Sequence, residues 1–478
     1  MAKQRLISNY EVEESIKEFV EHFVTEKREL KAHQIAYQID PEQLNEVEEI
    51  FKIGQEAKPI DIVVKKMMQS VFKNNTHLSH PRFFGFVPSN ASTLSWLGDI
   101  MTTAYNLHMG SQATSPMAYE VEEQILSWLC DKVGFEGPHC GGLFVSGGSM
   151  ANMTGLIAAR DKYLNPKDFN RGVAYVSDQT HSSVAKALRL IGINPENVRS
   201  IATDDEFKMD IALLKENIEN DLKNDLKPFC IIGSTGTTNT GSIDPLNEIA
   251  DLCEKYELWF HIDGAYGASA ILSEKHKHLL AGINRCDSLS WDAHKWLFQT
   301  YGCAMCLVQN TNDLIKSFHT HPEYLDDIEA PLGQINQWDL GMEMTRPARG
   351  IKLWLTLQVL GEKFFVEAVE HGFQLSAWAY DELLKKKHWE IVSKPSLAIL
   401  NFRFAPEDLS ASECDQLNQK VSQKMIKNGF AGVFTTILKG KKVLRICSIN
   451  PETSEADIRN TIKILNDYAN EIYSEMKA

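Results

Sequence analysis

Apolar residues recur at helical spacing soon after the chain begins. Beyond Tyr10, the residues Val12, Ile16, Phe19, Val20 and Phe23 fall on one face, with glutamates between them. A second periodic stretch, Ile62 to Phe72, follows Pro59. Helices of this kind carry a wide apolar stripe. A partner subunit is one cover for it, and the body of the same chain is another. Next comes His80-Pro81-Arg82-Phe83-Phe84-Gly85-Phe86-Val87-Pro88, which is aromatic, broken by proline, and has neither helical nor strand period. It reads either as a loop of packed core aromatics or as the wall of an aromatic binding pocket.

From Ser95 onward helix and strand signals alternate. The pattern predicts a helix over Glu120–Val133, a strand at Leu143-Phe144-Val145, a turn at Ser146-Gly147-Gly148-Ser149 and a helix over Met150–Tyr163. A strand at Val173–Val176, a helix over Ser182–Leu190 and strands at Phe229–Ile232 and Trp259–Ile262 follow. Sustained alternation of this kind predicts an α/β layer built on a mostly parallel sheet. After about Thr345 the pattern changes. Gly350–Leu360 reads as an apolar helix, and Ala398–Phe404 as a strand with Leu400, Phe402 and Phe404 on one face. Val433–Ile446 reads as a hairpin turning near Lys439-Gly440, and Ser454 opens a closing helix with Asp457 three residues on. Its stripe is Ile458, Ile462, Leu465 and Ile472. Three parts are therefore expected: an N-terminal helical segment (1–95), a large α/β domain (96–349) and a small C-terminal α+β domain (350–478). No internal repeat or low-complexity tract interrupts them.

Composition narrows the function. A chain of 478 residues, 43% hydrophobic and 24% charged, is long enough for several lobes and is not biased toward disorder. A net charge of -15 argues against nucleic acid or an anionic membrane as partner. The first residues, Met1-Ala2-Lys3-Gln4-Arg5, run into a charged segment, so no secretory leader is expected. No apolar run approaches the ~20 residues that span a bilayer. Nine cysteines, an odd number, are scattered from Cys130 to Cys447, which fits reduced thiols in a cytoplasm better than a disulfide framework. Cys303 and Cys306 form a Cys-x-x-Cys with no second pair nearby, so metal or redox use is a minor alternative.

The candidate chemistry centres on Ser290-Trp291-Asp292-Ala293-His294-Lys295-Trp296. Burial strips an ammonium of hydration and makes its amine available, and a neutral amine forms a Schiff base with an aldehyde cofactor such as pyridoxal 5'-phosphate (PLP). A surface lysine at a helix start is the plainer reading of that pair of residues alone. Other segments supply matching parts. Gly147-Gly148-Ser149, between a strand and a helix, suits a phosphate dianion, though Ser149 also reads as an ordinary N-cap. The hydroxyl-rich Ser234-Thr235-Gly236-Thr237-Thr238-Asn239-Thr240-Gly241 follows a strand and either binds cofactor oxygens or satisfies its own backbone. Asp263 ends the strand before Gly264-Ala265-Tyr266, where a carboxylate suits a protonated pyridine nitrogen or caps a helix. His181, in Asp178-Gln179-Thr180-His181-Ser182-Ser183, also follows a strand and can stack on a flat cofactor. Its spacing from Asp178 also hints at a metal, without a third ligand close by, and Ser183-Val184-Ala185-Lys186 fits a Ser-x-x-Lys nucleophile pattern lacking its companion motifs.

With these motifs in this order, the sequence resembles the group II PLP-dependent amino-acid decarboxylases, nearest to bacterial tryptophan and aromatic-L-amino-acid decarboxylases, of fold type I (aspartate-aminotransferase-like). The resemblance implies that Lys295 holds PLP, His181 stacks on its ring, Asp263 pairs with the pyridinium nitrogen and Ala265 packs against the ring. It implies phosphate contacts from Gly148, Ser149 and His294, and a Thr238 bond near Asp263 or the ring. Many relatives carry Asn where this chain has Asp292, so no phosphate role is carried onto that residue. Pro322-Glu323-Tyr324-Leu325 matches the family's mobile catalytic loop, which acts at the partner subunit's site. Tyr324 is then the proton donor to Cα, and its presence favours decarboxylation over the aldehyde synthases, where phenylalanine stands in its place. Phe86 and Pro88, with His108 and Trp338, are the candidate walls of the side-chain pocket. The expected protein is a cytoplasmic homodimeric carboxy-lyase acting on tryptophan, phenylalanine, tyrosine or DOPA, with no metal. A decarboxylase of histidine, glutamate or diaminobutyrate, or an aromatic aldehyde synthase, is the alternative.

Overall fold

A computed structural model describes residues 10–36, 51–72, 75–87, 90–320 and 335–478. The alternating middle of the chain supplies strands β1 (Gly141–Val145), β2 (Gly172–Ser177), β3 (Val198–Ile201), β4 (Lys227–Ser234), β5 (Trp259–Asp263), β6 (Ser288–Trp291) and β7 (Ala304–Val308). They lie side by side in the order β1-β7-β6-β5-β4-β2-β3. The run β3-β2-β4-β5-β6 is parallel, whereas β7 is antiparallel to both of its neighbours, β6 and β1. β1 consequently points the same way as the parallel strands, and its carboxyl end joins theirs.

Strand residues alternate between two apolar cores. Phe144, Tyr175, Ile231, Ile262 and Met305 enter one, beneath helices Pro116–Val133, Ile211–Lys223 and Leu246–Tyr256. Leu143, Val145, Val176, Ile232 and Cys306 enter the other, beneath helices Gly148–Tyr163, Ser182–Leu190 and Thr311–Phe318. The sheet is thus covered on both faces, as its near-continuous apolar strands require. Each fully buried leucine or isoleucine in these layers contributes ~1.5–3 kcal/mol of transfer free energy.

The C-terminal part forms a second, antiparallel sheet from β8 (Trp389–Ser396), β9 (Ile399–Phe404), β10 (Phe434–Leu438) and β11 (Lys441–Cys447), in the order β10-β11-β9-β8. The β10–β11 hairpin turns at Lys439 (φ 46°) and Gly440 (φ 75°), both left-handed, as a two-residue hairpin turn demands. Leu400, Phe402 and Phe404 face Leu417, Val421, Ile458 and Ile462, so the predicted face of β9 is the buried one. Helix Glu455–Lys477 opens on a capping box of Ser454 and Asp457.

Several elements differ from the expected ones. The helix expected to stop at Leu360 runs 34 residues, Ile351–Leu384, and turns at Gly361 (φ 73°, ψ 163°) rather than ending. Helix Thr93–Tyr105 runs across position 95, where the sequence reading divided the chain. Strands β3 and β8 escape the pattern because both are sheet edges, short or irregular, with Arg199 in one and Lys394-Pro395 in the other. The N-terminal helix Tyr10–Glu29 has no buried residue. Its stripe is covered in part by the same chain, Phe19 lying 6.5 Å from Phe72 and Phe23 lying 4.2 Å from Trp96, ring centre to ring centre.

All nine cysteines are free, and Cys140 alone is not fully buried. Cys303 and Cys306 enter opposite cores, so the Cys-x-x-Cys spacing does not make a redox pair. Among the described residues, no cluster of three or more metal-ligating side chains exists, and no helix is long and apolar enough to cross a membrane.

Candidate active site

The carboxyl ends of β1, β2, β4, β5 and β6 open onto one cavity of about 480 Å³. Convergence at that edge follows from the topology, because side chains that end parallel strands all project from the same side of the sheet. Gly148, Ser149, His181, Thr238, Asp263, Ala265, His294 and Lys295 all line it.

At the β1 end, Gly147 is the N-cap of helix Gly148–Tyr163 and, among the described residues, no side chain caps it. Ser149 is therefore not an N-cap but a first-turn residue beside free backbone N–H groups, which suits an anion. A Cβ on Gly148 would sit 2.9 Å from Asp292 Oδ2 and 3.2 Å from Ala265 Cβ, so a side chain there would press on both residues and narrow that floor.

The lysine segment lies between β6 and β7. Lys295 Nζ is 3.1 Å from Asp292 Oδ2, and its side chain is 26% exposed. The buried lysine expected from the sequence is instead a partly exposed lysine at a cavity wall, facing a carboxylate. Asp292 is a residue to which sequence reasoning assigned no part. It is buried, and its Oδ1 has no hydrogen-bond partner among the described residues. His294 Nδ1 bonds the Cys303 carbonyl at 3.1 Å, which orients Nε2 toward Asp292 Oδ2 at 3.4 Å. Burial lowers the proton affinity of His294, against a smaller opposing pull from Asp292.

The Asp263 wall of the cavity is a closed hydrogen-bond system. Asp263 Oδ2 accepts from Asn152 Nδ2 (3.0 Å), and Oδ1 accepts from Ser290 Oγ (3.2 Å) and the Ala265 N–H (3.2 Å). Asp263 ends its strand and does not cap a helix. His181 is the N-cap of helix Ser182–Leu190, and its Nδ1 accepts from the Ser183 N–H (3.2 Å) and lies 2.8 Å from Ser183 Oγ. Those bonds leave Nε2 as the protonated nitrogen. Asp178 is turned away, to Thr203 Oγ1 at 2.9 Å, so the Asp178-x-x-His181 metal reading fails. Ser183 is buried and bonded to His181 and Asn152 while Lys186 is exposed, which removes the Ser-x-x-Lys reading.

In the hydroxyl-rich loop, Thr237 bonds Thr240 (2.7 Å) and Ser242 (2.8 Å). The hydroxyls of Thr237 and Thr240 therefore serve the loop itself, Thr235 Oγ1 is buried with no partner among the described residues, and Thr238 is exposed at the cavity. Three candidate substrate residues stand apart from the lining. Phe86 is 63% exposed, has φ 53° and stacks on Phe434 at 5.2 Å, whereas His108 meets Trp338 edge-on at 6.4 Å. Pro88 and Tyr324 lie outside the described residues. Asn152, Ser183 and Ser290 were missed by sequence reasoning. Asn152 sits one turn into a helix whose motif appeared to end at Ser149, and no periodic signal distinguishes it.

The lining fits PLP on its own chemistry. An uncapped helix start with a glycine floor can take a phosphate, a lysine amine faces the cavity, and a buried carboxylate with three donors lines the same cavity. The fold and site together define an α/β enzyme of the aldehyde-cofactor type. The model of the pyridoxal-dependent decarboxylase conserved domain matches residues 41–405, and the chain belongs to that family. It is 37% identical over 457 residues to an aromatic-L-amino-acid decarboxylase of Bacillus atrophaeus, covering 95% of this chain and 94% of that one. It is 29% identical over 460 residues to tryptophan decarboxylase 2 of Oryza sativa subsp. japonica, covering 94% and 92%. A crystal structure of Oryza sativa TDC with PLP and tryptamine superposes with a TM-score of 0.92 at 27% identity, covering 98% of this chain and 99% of the other.

Proposed function

We propose that this protein decarboxylates an aromatic L-amino acid (tryptophan, phenylalanine, tyrosine or DOPA) to the arylalkylamine and CO2. The observation that carries the reading is a single cavity lined by Lys295, Asp263, His181 and the Gly148-Ser149 helix start. Likeness to an aromatic-L-amino-acid decarboxylase over almost the whole chain supports the aromatic side chain.

In this reading Lys295 would hold PLP through its amine, and Gly148, Ser149 and His294 would hold its phosphate. Asp263 would keep the ring nitrogen protonated, Ala265 and Thr238 would contact the ring, and His181 would flank it. The bound cofactor supplies an electron sink for the pair left when CO2 departs. The Nε2–H of His181 is free to donate, because Nδ1 is occupied by Ser183, and it can orient the substrate carboxylate. Tyr324 delivers the proton that replaces CO2 on Cα and recovers it from solvent, so one amino acid and one proton yield one amine and one CO2.

The complete site is read as dimeric. Phe86, Tyr105 and Met117 are 63%, 79% and 76% exposed, large apolar side chains that a second copy would cover. In a homodimer Phe86, Pro88, His108 and Trp338 would wall the side-chain pocket, with the catalytic loop reaching the partner's cavity. Nine free cysteines suit a reducing cytoplasm.

The test is an absorbance scan of the purified protein, followed by each L-amino acid with products read by mass. A visible band abolished by borohydride, with tryptamine or phenethylamine formed, is the expected result. Aldehyde with peroxide would replace the reading with an aldehyde synthase. A colourless protein that PLP cannot reconstitute would overturn it.

A further inference from the structure

Behind Asp263 runs a buried chain of polar side chains to which no role in catalysis has been given. Trp259 Nε1 donates to Ser288 Oγ at 2.7 Å. Ser288 Oγ lies 2.7 Å from His261 Nδ1, and His261 Nε2 lies 2.9 Å from Asn152 Oδ1. Asn152 Nδ2 then donates to Asp263 Oδ2 at 3.0 Å. Ser288 and His261 are fully buried, and Asn152 and Trp259 are 1% exposed.

The ends of the chain set its direction. An indole N–H can only donate, and a carboxylate can only accept. Asp263 accepts from the Asn152 amide N–H, which turns the Asn152 carbonyl to His261 Nε2. Ser288, accepting from Trp259, donates its hydroxyl hydrogen to the neutral ring's Nδ1. That fixes the tautomer with hydrogen on Nε2, which donates to the Asn152 carbonyl. Burial keeps the imidazole neutral, lowering its pKa to about 4 against the opposing charge of Asp263. The helix is shaped around this arrangement as well. A Cβ on Gly155, one turn beyond Asn152, would lie 2.9 Å from both His261 Nδ1 and Ser288 Oγ. A glycine inside a helix costs ~1 kcal/mol relative to alanine, so a local requirement offsets its propensity.

We propose that Asn152 and His261 are positioning residues that present Asp263 to the cofactor's ring nitrogen as a fixed, donor-saturated carboxylate. The inference rests on the reading above, in which Asp263 is the partner of that nitrogen. It extends the site two residues outward along one directed chain, with a branch from Asn152 through Ser183 (3.2 Å) to His181.

The experiment measures the PLP dissociation constant of the apoprotein by tryptophan fluorescence, and the pH dependence of the holoenzyme's visible absorption, for His261→Phe, His261→Gln, Asp263→Asn and the double variant His261→Phe/Asp263→Asn. His261→Phe leaves Asn152 Oδ1 without its donor and loosens the amide that donates to Asp263. It is expected to weaken PLP binding about 10-fold, the worth of one hydrogen bond to a charged group, and to shift the absorption titration. His261→Gln, which keeps a donor near Nε2, is expected to recover most of the loss. On the Asp263→Asn background the His261→Phe effect should vanish, as coupling through Asp263 requires. Wild-type affinity and titration in His261→Phe would overturn the inference, as would an undiminished loss in the double variant, which marks a packing defect. Asp263→Asn with unchanged PLP affinity would overturn the underlying reading instead, and so is told apart. Should His261→Phe not fold, Gly155→Ala crowds His261 without removing a polar group. It must weaken PLP binding in the same direction, and an unchanged constant overturns the inference.

Discussion

The two sides of the cavity are built on opposite plans. Around Asp263 the bonding is closed: three donors reach the carboxylate, and Asn152, His261, Ser288 and Trp259 form a chain behind it. Around Lys295 the bonding is open. Asp292 Oδ1 is buried without a partner among the described residues, and Lys295 Nζ and His294 Nε2 both face Asp292 Oδ2. A saturated network is costly to disturb and holds one geometry, whereas unspent hydrogen-bonding capacity is what an exchanging ligand uses. The difference separates a fixed wall from a wall where bonds are made and broken.

The sharpest way to break the comparison is at the open wall. Lys295→Ala should lower turnover by about 10⁴-fold or more, as for other covalent groups that act as a unit with their neighbours, and a steady-state amine assay reads it. Turnover retained in that variant would deny the lysine its role. At the fixed wall, Asp263→Asn keeps shape and loses charge, with an expected loss of ~10²–10³-fold in kcat. Asp292→Asn should move the other way. It removes a negative charge from beside Gly148 and the helix start, so PLP is expected to bind several-fold tighter, by roughly 1 kcal/mol for a charge at that separation in a high-dielectric cavity. Titration of the apoprotein checks the sign.

A further effect concerns pH. His261 holds its proton less tightly folded (about 4) than unfolded (about 6.5). The stability tied to its neutral form is therefore complete above pH 6.5 and is lost as pH falls toward 4, where the unfolded chain takes up a proton that the folded one refuses. The slope is up to ~1.4 kcal/mol per pH unit within that window. Thermal unfolding of wild type and His261→Gln between pH 4 and 7 should show a shallower acid slope in the variant.

Much of this architecture was legible in the sequence because strand-end chemistry is local. Gly147-Gly148-Ser149, His181, Asp263 and Lys295 each follow a recognisable strand, and parallel topology brings such ends together. The face of β9 and the Ser454 capping box followed from period and spacing alone. What escaped is non-local. Asn152 acquires meaning only against His261 and Asp263, which are 109 and 111 residues away in the chain. Strands β3 and β8 are edges whose partners, not their composition, define them. The burial expected of Lys295 was also misjudged, because tryptophan and histidine neighbours in sequence said nothing of Asp292, which stands beside its ammonium in space.

The cysteines carry a practical consequence. Eight of the nine thiols are buried, and the partly exposed Cys140 immediately precedes β1, whose far end opens on the cavity. A sulfhydryl reagent therefore finds one natural handle, a strand's length from the chemistry. A fluorophore attached there can report on folding while leaving the cavity's lining untouched, with no engineered cysteine needed.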